Sequence, residues 1–361
     1  LLRGQSNDVY WHGLFGGIYI PHLRLATMAQ LVSAEDVADA ALGAVRRAER
    51  ADLDLDGRDE VLLANAGQVV TVDLAEGAGI GDWDIRAAHH ALASVLRRRP
   101  EAYHEMLRRG ADTVTTGSSG DGAGLASIHD IVRSKEAGLV DRLRYDAHER
   151  RSGLVRFLPL EATAASYGAG ELPDLGTALD AVHEVEELAD GRLVAGAGVI
   201  VRSPDGDHPV TVRKSIVLGG DRLAPTLTVA LTVRNESTGR LRARLGQEWG
   251  VMLLGGGGNP SAWYEVAGAR SAHDGSGSAA AVTRIGQGND WLGLALETIP
   301  CPPADAWWSP IETVSNSEDG FERVYQGSAL FLSWPIDLPP GGEITVAVEH
   351  RVTVARDLTI D

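Results

Sequence analysis

LTVALTVR (Leu227–Arg234) and ITVAVEHRVTV (Ile344–Val354) decide the fold. In the first, Leu227, Val229, Leu231 and Val233 alternate with Thr228, Ala230, Thr232 and Arg234. In the second, Ile344, Val346, Val348, Val352 and Val354 alternate with Thr345, Ala347, Glu349, Arg351 and Thr353, and His350 falls on the apolar side. A period of two buries one face of a strand and wets the other. Similar runs occur at Val194–Arg202, Val210–Leu218, Arg240–Leu245, Trp291–Glu297 and Ala329–Trp334. Turn clusters such as Pro204-Asp205-Gly206 and Pro339-Pro340-Gly341-Gly342 separate them. Many short strands at this spacing predict a mainly β chain, a large antiparallel β-sandwich.

The chain has 361 residues, 44% of them hydrophobic, which is ample for one large core. A net charge of −17 repels phosphates and excludes nucleic acid as a partner, while suiting a neutral substrate. The single Cys301 excludes an internal disulfide and fits a reducing, cytoplasmic compartment. No apolar run reaches the ~18 residues that suggest a membrane span. The first residues are Leu-Leu-Arg, with no methionine or signal pattern, so we expect a piece of a longer protein.

Ahead of the strands lies a helical signal over residues 21–50. Pro21 suits a first turn, and Glu35 and Asp36 follow Ser33 as a helix start would have them. Arg46, Arg47 and Arg50 suit a helix end, and Val37, Ala41, Val45 and Ala48 recur at helical spacing. The expected division is a short α-helical segment over 1–50 and a β-sandwich domain over 51–361, with helical insertions near 87–109 and 128–143. Between the insertions, GSSGDGAGLAS (Gly117–Ser127) reads as a flexible loop.

Two stretches carry candidate chemistry. QSNDVYWHGLFGG (Gln5–Gly17) crowds Asn7, Asp8, Tyr10, Trp11 and His12 into six positions before a glycine-rich turn. Aromatic faces stack on sugar rings, and amide, carboxylate and imidazole groups bond hydroxyls, so the mixture suits a sugar site. The same residues also fit a buried tryptophan beside a satisfied core histidine. DLDLDGRDE (Asp52–Glu60) sets Asp52, Asp54, Asp56 and Glu60 at alternating positions around Gly57, the donor type and turn that calcium needs. The twelfth position is Leu63, so this is no EF-hand, and a solvated Asp-Gly turn is the plainer reading. Farther on, Trp307, Trp308, Phe321, Tyr325 and Trp334 mix with Glu312, Asn316, Glu318 and Glu322. Most of those aromatics should pack between sheets, and Trp307-Trp308 reads as part of a proline-rich loop. No H-E-x-x-H, Walker loop or G-x-S-x-G elbow is present.

QSNDVYWHGLFGGIYIPHLR (Gln5–Arg24) resembles the last conserved region of glycoside hydrolase family fifty-seven, in its 4-alpha-glucanotransferase and alpha-amylase branch. DLDLDGRDEVLLAN (Asp52–Asn65), RRRPEAYHEML (Arg97–Leu107), DRLRYDAHERRSGLVRFL (Asp141–Leu158) and PIETVSNSEDGFERVYQG (Pro310–Gly327) continue the resemblance in order. It implies a mutarotase-like sandwich behind a catalytic barrel, an alpha-1,4-glucan substrate, and glucose subsites lined by Asn7, Asp8, Tyr10, Trp11 and His12. The family's two catalytic carboxylates lie upstream of the matched region, so no catalytic residue carries over. The expected role is therefore the C-terminal part of a retaining alpha-glucan enzyme, partnered by an N-terminal catalytic barrel. A homodimer is compatible with this. A stand-alone carbohydrate-binding module and an independent sugar epimerase or lyase using sandwich-face histidines are the alternatives.

Overall fold

The computed structural model describes residues 1–12, 17–115, 134–204, 206–317 and 320–359, without the side chains of 110–115. The loop expected at Gly117–Ser127, Glu318, Asp205 and most of the Gly13–Gly17 turn lie outside them.

Among the described residues, three antiparallel sheets make the body. The first is a meander of β1 (Arg47–Ala51), β2 (Glu60–Ala64), β3 (Gln68–Asp73), β4 (Gly79–Ile85) and β5 (His90–Ala91). After β6 (Leu154–Leu158), a second sheet begins with β7 (Glu184–Ala189), β8 (Arg192–Ser203), β9 (Gly206–Gly220) and β10 (Pro225–Asn235). The chain then crosses through β11 (Leu241–Val251) and returns as β12 (Ala262–Val266) and β13 (Ala269–Ala272). The remaining strands are β14 (Gly277–Val282), β15 (Ile285–Asn289), β16 (Leu294–Cys301), β17 (Ala304–Ser317), β18 (Gly320–Leu338) and β19 (Glu343–Val354). The nine-stranded sheet runs β13-β12-β15-β16-β19-β10-β9-β8-β7, and the third runs β14-β17-β18-β11-β6.

The two deciding stretches lie side by side. Leu227 pairs His350, Val229 pairs Val348 and Leu231 pairs Val346, so their apolar faces form one surface. Leu227, Val229, Leu231 and Val233 are wholly buried, each removal from water contributing about 1.5–3 kcal/mol. His350 shares that core: its ring lies 4.0 Å from Trp249 and 5.2 Å from Trp83, its Nδ1 meets Thr298 Oγ1 at 3.0 Å, and burial pushes its pKa down to about 3.

The third sheet departs from one-face burial. Leu330, Leu332 and Trp334 of β18 face the central core, while Tyr325, Ala329 and Phe331 face a second apolar cluster with Trp307, Tyr167 and Leu25. A layer of helices and loops covers the outer face, so both faces are dry over much of β18. Trp307 and Trp308 belong to β17, not to a loop; Trp307 is buried and Trp308 half-buried.

Among the described residues, three α-helices accompany the sheets. α1 (Pro21–Leu42) starts at its proline as expected but stops eight residues earlier than the signal suggested. Gly43 takes the left-handed conformation at φ 67° and closes the helix, so Arg46 and Arg50 lie beyond it and Arg47 opens β1. β1 thus straddles the boundary expected at residue 50. Over Asp36–Ala41 the buried side of α1 is not the expected Val37 and Ala41, which are exposed, but Asp36 and Asp39. Arg86, fully buried, bonds both, and Arg222 bonds Asp36 at 2.7 Å. In the insertion expected at 87–109, only α2 (His104–Thr115) is helical; Ala87–Tyr103 holds turns, β5 and irregular chain, and Pro100 disfavours helix in the residues before it. In the one near 128–143, the described residues form a single 3-10 turn at Val140–Arg142. α3 (Ala164–Ala169) is capped by a Thr163–Ser166 box. No helix among the described residues is long and apolar enough to cross a membrane.

Candidate functional site

The N-terminal motif is held from beneath. Val9 and Tyr19 are buried, and the Tyr10 hydroxyl donates to the Gly4 carbonyl at 2.5 Å. Arg24, 3% exposed, donates to Ile18 O at 2.5 Å, Ser94 Oγ at 3.0 Å and Ser94 O at 3.1 Å, tying the segment to the sandwich. Gln326 Nε2 donates to Tyr19 O at 2.9 Å. Gly17 sits at φ 49°, and a Cβ there would lie 2.2 Å from Trp11 O, so only glycine allows this approach. On this support Asn7, Asp8, Tyr10 and Trp11 face solvent, with Trp11 55% and Tyr10 48% exposed. Trp11 is not a core residue of this chain.

His12 is half-buried between two tyrosines, edge-on to Tyr19 at 5.1 Å and Tyr103 at 5.0 Å. Tyr19 donates its hydroxyl proton to Glu101 at 2.5 Å, and the Glu101 amide donates to His104 Nδ1 at 3.1 Å. His104 therefore carries its proton on Nε2 and gives it to Val314 O at 2.9 Å, while Tyr145 OH approaches Nδ1 at 3.0 Å. Burial lowers the His104 pKa, which keeps it neutral, and raises that of Tyr19. Such a wedge can present a fixed imidazole and two exposed aromatic faces to a polyhydroxylic ligand. Reading single residues missed Tyr19, Glu101, Tyr103, His104 and Tyr145. Their signal was the Arg97–Leu107 and Asp141–Leu158 stretches, which resembled family motifs without suggesting what each residue touches.

In the acidic turn, oxygens of Asp52, Asp54 and Glu60 lie within 4.8 Å of one another; Asp56 stands outside that group. The Asp56 carboxylate instead accepts the Arg58 amide at 2.8 Å. Gly57 adopts φ 90°, the turn the pattern needs. Burial, then the charges of Asp54 and Asp73, push the Glu60 carboxyl up. The turn also satisfies itself: both Asp52 oxygens accept amides, from Asp56 and Gly57 at 3.1 Å.

The histidines that an epimerase would need on the sandwich face are interior groups. His90, His183, His208, His273 and His350 are at most 5% exposed, and burial pushes His183 and His273 down to about 4. Each bonds a neighbouring backbone or side-chain group and serves the core.

Comparison with known proteins adds the following. Residues 52–348 match the model of the alpha-amylase/4-alpha-glucanotransferase C-terminal domain, and residues 1–38 match that of its middle domain. Alpha-amylase 1 of Dictyoglomus thermophilum is 30% identical over 94% of this chain and 46% of its own length. The crystal structure of a 4-alpha-glucanotransferase from Thermococcus litoralis superposes with a TM-score of 0.72 at 22% identity, covering 99% of this chain and 46% of that one. A putative mutarotase from Salmonella typhimurium shares the sandwich, with a TM-score of 0.50 at 9% identity over 85% of this chain and 94% of that one. The chain thus spans about half the length of the amylase and glucanotransferase it matches.

Proposed function

The chain belongs to the alpha-amylase/4-alpha-glucanotransferase family, and from that premise we propose that it is the non-nucleophile, C-terminal part of a retaining alpha-1,4-glucan enzyme. The observation that carries the reading is the anchored motif with its aromatic rings turned outward. Its rigid backbone would hold Trp11 and Tyr10 against glucose rings, while Asn7, Asp8 and His12 bond hydroxyls. The nucleophile and acid/base would come from an N-terminal catalytic barrel, about 5 Å apart as retention requires. α1 supports such a partner: Leu23, Val37 and Leu42 are exposed beside the buried Leu25 and Val32, leaving it apolar on more than one side.

The test is Trp11→Ala in the protein that joins this chain to its barrel. We expect a loss of about 1–3 kcal/mol of substrate interaction, read as kcat/KM on maltoheptaose, with melting nearly unchanged. A melting temperature that collapses while turnover per folded molecule stays normal would make the motif structural and end the proposal.

A second reading concerns the acidic turn. We propose that Asp52, Asp54 and Glu60 bind calcium, because three carboxylates this close repel one another unless a cation or a proton intervenes. Calcium should raise the melting temperature by mass action, and Asp54→Ala should remove the increment. Identical melting curves in calcium and in chelator would show that the turn's own amide bonds suffice.

A further inference from the structure

Six charged side chains form an unbroken ladder on the outer face of the third sheet. Arg98 Nη2 meets Asp146 Oδ1 at 2.6 Å, and Asp146 also pairs Arg150. Arg150 Nη1 reaches Glu248 Oε1 at 2.7 Å, Arg156 Nη1 takes Glu248 Oε2 at 2.8 Å, and Arg156 Nε meets Asp174 Oδ2 at 3.0 Å. Signs alternate from end to end and sum to zero. No side chain of the six is more than 13% exposed. Burial alone would push Asp146 and Glu248 up; their arginines hold both below the usual carboxylate range. A buried ladder is a poor device for stability, since apolar residues of similar volume pack as well or better.

Its position suggests another role. The ladder underlies a cleft of about 270 Å³ walled by Tyr145, Tyr167, Pro310 and Ile311. A neighbouring hollow of about 430 Å³ shares Arg98, Gly168, Ser309 and Pro310 with it and extends to Trp308. Together they fall within the roughly 300–1,000 Å³ typical of small-ligand sites. The ladder's own charges cancel, so the floor of the smaller cleft selects neither anion nor cation, while the larger hollow adds Arg142, Arg144 and Glu312 to its lining. Arginine N–H groups and carboxylate oxygens alternate along the ladder, and those its own pairs leave over suit hydroxyl groups, each of which both gives and takes a hydrogen bond. Aromatic and proline walls suit the apolar faces of sugar rings.

We propose that this cleft binds a short neutral alpha-glucan segment at a site beyond the exposed Asn7–Trp11 face, which meets the N-terminal motif only through Tyr145. The glucan identity rests on the function proposed above; the cleft and its preference for a neutral polyol do not. Gly168 gives the means of closing it. A Cβ there would stand 3.6 Å from Ser309 Cβ, at the junction of the two hollows and away from the ladder's pairs.

The experiment is calorimetric titration of the full chain with maltotriose, with galactose as the non-glucan sugar. Gly168→Phe is expected to weaken maltotriose binding at least tenfold with the melting curve intact, and Tyr145→Ala, trimming an exposed ring at the rim, about threefold or more. Trp11→Ala should leave the cleft's share of the maltotriose binding in place, because no wall of the cleft uses Trp11. Wild-type affinity in a folded Gly168→Phe overturns the cleft, and should that variant melt early, wild-type affinity in Tyr145→Ala does so instead. Binding lost in Trp11→Ala and kept in the cleft variants overturns the cleft while sparing the motif. Galactose binding as well as maltotriose removes the glucan assignment, and no binding by wild type removes the site.

Discussion

Glu248→Gln is expected to cost the chain about 3–5 kcal/mol of unfolding free energy, the range for removing one member of a buried ion pair. The reason lies in what stays behind. Glu248 is 2% exposed and accepts from both Arg150 and Arg156. Glutamine keeps one acceptor oxygen but leaves the six-membered ladder with an excess positive charge in a place where water screens it poorly. Because Arg150 and Arg156 depress the carboxyl of Glu248 in the folded state, its contribution is present above the ordinary glutamate pKa. It is lost as pH falls through the lower folded value. Acid unfolding of the wild type should therefore begin below about pH 4–5, and the variant should lose less on acidification because that term is already gone. Urea unfolding at pH 7 and pH 4 measures both effects. A loss within about 1 kcal/mol at pH 7 would mean that the ladder is solvated and worth no more than a surface pair.

That ladder also shows where reading a sequence stops. The strands Leu227–Arg234 and Ile344–Val354 followed from a period of two, because each declares its buried face by itself; that they lie side by side did not. α1 was half legible. Pro21 marks its start, but the arginines after residue 45 imitate a helix end, and Gly43 outweighs them because a left-handed residue stops the helix. The burial of Asp36 had no local signal: its partners Arg86 and Arg222 lie 50 and 186 positions away. The same holds for Arg156 and Glu248, 92 positions apart. The outer layer that dries the second face of β18 comes from α1, α3 and their loops, so alternation within the strand could not announce it. At the candidate site, residue chemistry picked out Tyr10, Trp11 and His12. The contacts that fix His12 come from Tyr19 and Tyr103, and Tyr103 is not a sequence neighbour.

One polar residue inside an apolar pattern leads to the other large effect. Lys214 occupies an inward position of β9 between Val212 and Ile216 and is 1% exposed. Its ammonium donates to three carbonyls, Gly77 O and Ala78 O at 2.8 Å and Gly153 O at 2.9 Å, bolting the β3–β4 turn and the start of β6 to the nine-stranded sheet. Burial pushes its pKa from 10.5 down to about 7. Lys214→Met keeps the stem and orphans the carbonyls, each costing about 1–3 kcal/mol when left unsatisfied, but it also removes the burden of desolvating a charge. Which wins depends on pH. Between pH 7 and 10.5 the unfolded chain holds the proton that the folded chain has released, so wild-type stability rises with pH across that window. The methionine variant has no such term. Its deficit should be small near pH 7 and widen to about 3–5 kcal/mol by pH 10, with a slope of at most ~1.4 kcal/mol per pH unit. The ceiling over the whole shift is about 5 kcal/mol, because three carbonyls matched to three N–H groups favour the charged form and shorten the window. Guanidinium unfolding of both proteins at pH 7, 8, 9 and 10 gives the difference directly, with the other titrating groups cancelling. A gap that stays constant over that range would show that the carbonyls hold the ammonium near its ordinary pKa, and that the bolt acts by geometry alone.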